Sequence, residues 1–414
     1  MSEAADGTAV AVQHSESRGS AVAGGTDAAR PAPFVLQALD GLERALQARL
    51  SRLTSPAGGK PLAGYFCIYT PVELLEACSF VPVRVPLEAD NDAQVRGAGW
   101  LRHDACPFCR ALVGLFERRD PLLSALACVV APNTCDTMRR TLYVLAGELG
   151  IRVLRFFSPR TWQSEASMRI VVQEWERLVR ELGAISGTNA GPDELTEAVA
   201  RWDGVRGALR QLHRLRALDP PPLSGADMLR LVWYAASLDP DESLPLLRQV
   251  LQRSTEPNAA RLDHLPSARV RLMLAGSMLL RSDIGLVDML EEQGRACVVT
   301  DLLCAGTRWF SLDPAFAGGS GVLHTLAEAY HRRVPCAMRR PNDPLYEFAK
   351  AEIRSHRPQG VILRTLKFCD SWAHEAVRMR RELGLPLLHL DVDYSGQDSG
   401  QVRTRVEAFL EMLR

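Results

Sequence analysis

Short apolar runs alternate along most of the chain with stretches whose apolar positions recur every three or four residues, the respective patterns of buried strands and amphipathic helices. The runs LAGYFCIY (62–69), VPVRV (81–85), ACVVAP (127–132) and IRVLRFF (151–157) read as strands of a first half, and VRLMLAGSM (270–278), ACVVTDLL (296–303) and GVILRTL (360–366) as strands of a second. Between the halves, 161–182 predicts one long helix with Met168, Val171, Trp175 and Leu178 on its apolar side. Residues 191–256 are helical in pattern, interrupted at 217–225 and 239–243. At the ends, Val35, Leu39, Leu42, Leu46 and Leu50 give residues 34–53 one apolar face, expected to lie against the first half, and Val406, Phe409, Leu410 and Leu413 mark a closing helix. Residues 86–105 carry little pattern. Strands alternating with helices predict parallel sheets. The expected fold is therefore α/β, with two Rossmann-like halves, parallel sheets facing across a cleft, and a helical insertion joining them. The divisions fall at 1–33 (a disordered lead-in), 34–190, 191–265 and 266–414.

Two of the strand patterns end in the same device. In APNTCDTMRR (131–140) and TLKFCDSW (365–372), loop residues lead to Cys-Asp, then a helical pattern closes on Glu-Leu-Gly. Glu148 lies thirteen positions after Cys135, and Glu382 thirteen positions after Cys369. Each βαβ unit thus presents a cysteine at a strand's carboxyl end, where open α/β sheets place their ligands.

Composition narrows the chemistry. Forty-nine basic residues balance forty-nine acidic ones over 414 positions, so no bulk attraction to nucleic acid or anionic membrane is implied. No apolar run approaches the roughly 18–20 residues of a membrane span. The first residues lack the basic-then-apolar pattern of a secretory signal. Ten cysteines are then expected to be reduced thiols in a cytoplasmic setting, where a surplus usually ligates metal.

Six of the ten lie at strand ends, in loops or at a helix start: Cys67, Cys106, Cys135, Cys304, Cys336 and Cys369. Cys78, Cys109, Cys128 and Cys297 sit within apolar runs or on helices and read as core. Cys106 and Cys109 form a CxxC at a helix start, where the dipole favours a thiolate; with no second pair at zinc spacing, a thioredoxin-type redox pair also stays open. Cysteine ligation with scattered histidines (His103, His264, His324, His331, His374 and His389) favours iron–sulfur over catalytic zinc. Gly276-Ser277 closes a strand without a full GxGxxG. A P-loop, a GxSxG elbow and HExxH are all missing, so the chain is not expected to hydrolyse ATP itself.

These residues carry a family resemblance. GYFCIYTPVELLEA, CPFCRALVG, APNTCDTMRR, the PPLSG of the insertion, VPC at 334–336, GVILRTLKFCD and DYSGQDSGQVRTRVEAFLEML together resemble the 2-hydroxyacyl-CoA dehydratase and benzoyl-CoA reductase family, specifically its dehydratase D-component, over most of 34–414. The resemblance implies two α/β halves around a 4Fe–4S cluster, with Cys67, Cys135 and Cys369 matching the motif cysteines most securely. It also implies a separate ATP-hydrolysing iron–sulfur activator that delivers one low-potential electron, an acyl-CoA substrate whose thioester carbonyl becomes a ketyl radical anion, and a homologous second subunit or a second copy as dimer partner. Glu73 matches an acidic position beside the cluster, suited to substrate positioning or proton transfer. Its alternative role is that of a helix-start glutamate facing the dipole. One branch of the family is similar in its TPVE, in the PND after Cys336 and in six matching cysteines; it carries a double-cubane (8Fe–9S) cluster and reduces small molecules. Asp370 departs from that branch toward the acyl-CoA enzymes. A third possibility is a metal-free or zinc-bound structural subunit paired with an active homologue.

Overall fold

The computed structural model describes residues 32–54, 59–256, 269–291, 295–312, 321–396 and 399–414. The expected lead-in, His264 and the last stretch of the expected insertion lie outside these residues, apart from Ala32 and Pro33. In chain order the first half comprises α1 (Pro33–Leu53), β1 (Leu62–Tyr65), α2 (Val72–Ala77), β2 (Val81–Arg84), α3 (Asn91–Gly97), α4 (Pro107–Glu117), α5 (Pro121–Ser124), β3 (Cys128–Pro132), α6 (Asp136–Gly147) and β4 (Val153–Phe156). Four helices follow: α7 (Glu165–Ser186), α8 (Pro192–Leu215), α9 (Gly225–Ser237) and α10 (Pro240–Ser254). The second half adds β5 (Val270–Gly276), α11 (Gly285–Glu291), β6 (Ala296–Asp301), α12 (Thr307–Phe310), α13 (Val322–Glu328), α14 (Asp343–His356), β7 (Gly360–Leu366), α15 (Asp370–Ala373), α16 (Glu375–Glu382), β8 (Leu387–Val392) and α17 (Ser399–Met412).

Each half is a four-stranded parallel sheet, and the spatial order is the same in both: β2-β1-β3-β4 and β6-β5-β7-β8. The α/β class with two Rossmann-like halves is thus the observed one. The central strands β3 and β7 are buried along their whole length, which is why they read as unbroken apolar runs, since helices cover both sheet faces. Where β5 meets β7, Gly276 adopts φ 139°, and a Cβ there would lie 1.7 Å from the Arg364 carbonyl oxygen. Only glycine lets the chain turn off the sheet at that point toward Ser277 and Met278.

The helical segment forms a layer between the halves. From α8, the Trp202 Nε1–H donates to Glu76 of α2 at 2.7 Å, while Arg210 donates to the Leu312 carbonyl of the second half at 2.8 Å. The α1 helix bears on this layer more than on the first sheet: Tyr234 donates to Glu43, and Arg49 and Arg52 pair with Glu242. Its apolar face matches the sequence reading, but its main partner is the neighbouring layer.

The unpatterned 86–105 contains α3, N-capped by Asp90, whose carboxylate accepts the Ala93 N–H at 2.7 Å. Periodicity did not reveal it because it packs backbone to backbone on α4. A Cβ at Gly114 would sit 1.9 Å from the Ala93 carbonyl oxygen, and one at Gly97 1.8 Å from that of Arg110. Gly114→Ala is therefore expected to force the two helices apart and cost about 1–3 kcal/mol, read as a lower urea midpoint. Gly147→Ala, whose new methyl meets nothing within 4 Å, should be neutral or stabilise by up to about 1 kcal/mol.

Candidate metal centre

Local geometry delivers the six singled-out cysteines to one place. Cys67 follows β1, Cys304 follows β6, and Cys336 follows a π-helical turn (Ala329–Arg333). Cys106 is the N-cap of α4, and Cys135 is the N-cap of α6, its Sγ accepting the Met138 N–H at 3.3 Å. Before Cys369, Phe368 takes the left-handed φ of 62°, a strained setting for a bulky residue that swings the chain inward off β7.

All six are half-buried and line one cavity of about 140 Å³ between the halves. Cys109 lines it too, so four thiols come from the first half and three from the second. The sequence reading had placed Cys109 in the core, and it is both: it packs on the apolar face of α4 and turns its sulfur toward Cys106. Cys78, Cys128 and Cys297 are buried outside this wall. The shared strand order pairs the walls, with Cys106 and Cys336 in corresponding crossovers and Cys135 and Cys369 after corresponding strands. Cys67 and Cys304 break the pairing, since Ser277 stands where a counterpart of Cys67 would be.

Burial pushes the Cys67 thiol up to about 12 and raises Cys135, Cys304 and Cys369 as well. Cys106 moves the other way, chiefly because Cys109 donates a hydrogen bond to it, helped by N–H groups of the helix start; Cys109 is correspondingly raised well above its ordinary value. A wall on which burial holds Cys67, Cys135, Cys304 and Cys369 as thiols unless a cation displaces the proton is a donor set suited to a metal–sulfur group.

Two buried guanidiniums stand against the same wall. Arg308 donates to the Leu302 carbonyl (2.7 Å) and the Pro335 carbonyl (2.9 Å) and lies 5.0 Å from the Trp372 ring centre. Burial disfavours its charge, but Cys336 and Cys304 more than compensate. Arg84 reaches the Cys304 carbonyl at 3.5 Å. Neither arginine carries a sequence signal, because a buried arginine is recognisable only by its partners.

Glu73 is placed elsewhere. It is fully buried and absent from the cavity wall, with one carboxylate oxygen held by Arg206 of α8 and the other accepting from the Tyr330 hydroxyl at 2.8 Å. Arg206 also donates to the Tyr330 oxygen at 3.0 Å, closing a triad across both halves and the helical layer.

An open groove of about 510 Å³ meets the cavity at Thr134 and Cys135, with Arg139 and Arg160 along it and Ser164 capping α7. Its rim is tied across the halves by the Trp162 Nε1–H donating to the Pro341 carbonyl at 2.8 Å and by the Arg340 N–H donating to the Arg160 carbonyl at 2.9 Å. No helix among the described residues is long and apolar enough to cross a membrane.

A family model described as 2-hydroxyglutaryl-CoA dehydratase, D-component, matches residues 67–413. The chain is 27% identical to YjiM of Escherichia coli (strain K12), which bears the name of a dehydratase subunit, over 86% of this chain and 92% of that one. It is 22% identical to the lactoyl-CoA dehydratase subunit beta of Anaerotignum propionicum, over 86% and 92%. It is 23% identical to the (R)-2-hydroxyglutaryl-CoA dehydratase subunit beta of Acidaminococcus fermentans, over 86% and 93%.

Proposed function

Because the chain belongs to the 2-hydroxyglutaryl-CoA dehydratase D-component family, we propose that it is the iron–sulfur subunit of a 2-hydroxyacyl-CoA dehydratase or benzoyl-CoA reductase-type enzyme. The observation that carries this reading is the convergence of Cys67, Cys106, Cys135, Cys304, Cys336 and Cys369 on one wall shared by both halves. Those thiols would hold a 4Fe–4S cluster, which when bound supplies a single low-potential electron to an acyl-CoA thioester.

The remaining chemistry belongs to the chain. Arg308 and Arg84 place fixed positive charge where thiolates gather, favouring their deprotonated form. Trp372, Met278 and Met338 narrow the cavity and limit water. The groove beside Cys135, with Arg139 and Arg160, suits the phosphates of a coenzyme A ester arriving from outside. Glu73, held by Arg206 and Tyr330, acts as a positioning residue that locks α2 behind the Cys67 loop. The partners are an ATP-hydrolysing iron–sulfur activator and a homologous second subunit or a second copy of the chain.

A second reading is supported by the number of thiols on that single wall, which exceeds the four that one cubane requires: a double-cubane cluster reducing a small molecule. The test is anaerobic purification with iron and acid-labile sulfide analysis, followed by turnover with activator, ATP and candidate acyl-CoA esters. About four irons per chain with acyl-CoA turnover supports the first reading, about eight supports the second. A chain without iron that still supports turnover beside an active homologue would make it a structural subunit.

A further inference from the structure

Away from the thiols, a second set of ligand atoms meets where α8, α14 and β6 come together. His213 projects from the last turn of α8, Glu352 and His356 stand one turn apart on α14, and Thr300 lies on β6. The His213 Nε2 is 2.8 Å from Glu352 Oε2, and the His356 Nδ1 is 3.1 Å from the same oxygen. All three ligand atoms lie within 4.8 Å of one another, and none of these residues lines the thiol cavity. His213 and His356 are 6% and 3% exposed, and their ring centres are 4.3 Å apart.

The hydrogen bonding leaves two buried ring nitrogens without a partner, the Nδ1 of His213 and that of His356. The His356 Nε2 faces the His213 carbonyl oxygen at 3.1 Å and can only donate to it. In neutral His356 the lone pair then sits on Nδ1, turned toward the Glu352 carboxylate. A charged ring would pair with that oxygen at 3.1 Å, but Nδ1 is buried and off the alignment of a hydrogen bond. A cation held between the three atoms turns this repulsive contact into ligation. On the α14 side the surroundings fit that role, because the His356 imidazole donates its other nitrogen to a carbonyl and the Thr300 hydroxyl donates to the carboxylate at 2.5 Å.

We propose that His213, Glu352 and His356 bind a divalent transition-metal cation of the zinc class, pinning the helical layer to the second half. Two imidazoles and one carboxylate suit zinc, with a fourth position left for water. The inference is independent of the iron–sulfur reading, since these ligands are nitrogen and oxygen.

The test uses the full chain, purified anaerobically with its iron, stripped of loosely held metal by a chelator and offered zinc chloride. About one zinc per chain is expected, with zinc-edge absorption giving nitrogen and oxygen neighbours at about 2.0–2.1 Å. Glu352→Gln and His356→Gln are expected to lose that zinc while iron and sulfide stay unchanged. Zinc bound only through sulfur at about 2.3 Å, a wild-type chain that takes up none, or variants that retain it would overturn the proposal. The wild-type absorption spectrum decides by itself if a variant fails to fold.

Discussion

Cys369→Ala is expected to yield a chain with native far-ultraviolet circular dichroism that, unlike the unmodified chain, no longer retains the proposed cluster after anaerobic loading with iron and sulfide. Cys369 stands on the second-half wall opposite Cys135, and burial keeps its thiol protonated unless a cation displaces the proton. Removing that sulfur leaves six thiols in the cavity and takes one proposed ligand from the second-half wall. Turnover should fall by more than the roughly 10–100-fold that follows loss of an outer partner of a metal ligand. Cys297→Ala, a buried thiol outside the wall, should keep its iron. Full iron in the Cys369 variant would remove this residue from the ligand set.

Arg206→Met is expected to destabilise the chain by about 3–5 kcal/mol, because it leaves the Glu73 carboxylate charged and buried with only the Tyr330 hydroxyl as partner. Combining it with Glu73→Leu should restore much of that loss, since two apolar groups of similar volume need no partner. Urea midpoints of the two single variants and the double variant close a cycle whose coupling term measures the pair. A merely additive double variant would mean that Glu73 and Arg206 act separately.

Much of this architecture was legible before the structure. Strands buried on both faces leave continuous apolar runs, so β3 and β7 are plain in the sequence, and a cysteine just past each strand end marks the carboxyl edge. Three features were hidden for different physical reasons. Helix α3 buries few apolar side chains and rests on glycine contacts, to which periodicity is blind. The helix-dipole role considered for Glu73 is local, whereas its actual partner, Arg206, is 133 residues away. Cys109 shows only its apolar helical position in the sequence, although the same face also borders the cavity.

The division of the thiol wall between the halves also dictates an order of biogenesis. While the chain is being synthesised, Cys67, Cys106, Cys109 and Cys135 leave the ribosome long before Cys304, Cys336 and Cys369 exist. Any group needing ligands from both walls can be delivered only to a finished, already docked polypeptide. Insertion of such a group would then be the last step of maturation, and until that point the amino-terminal thiols would need protection from oxidation.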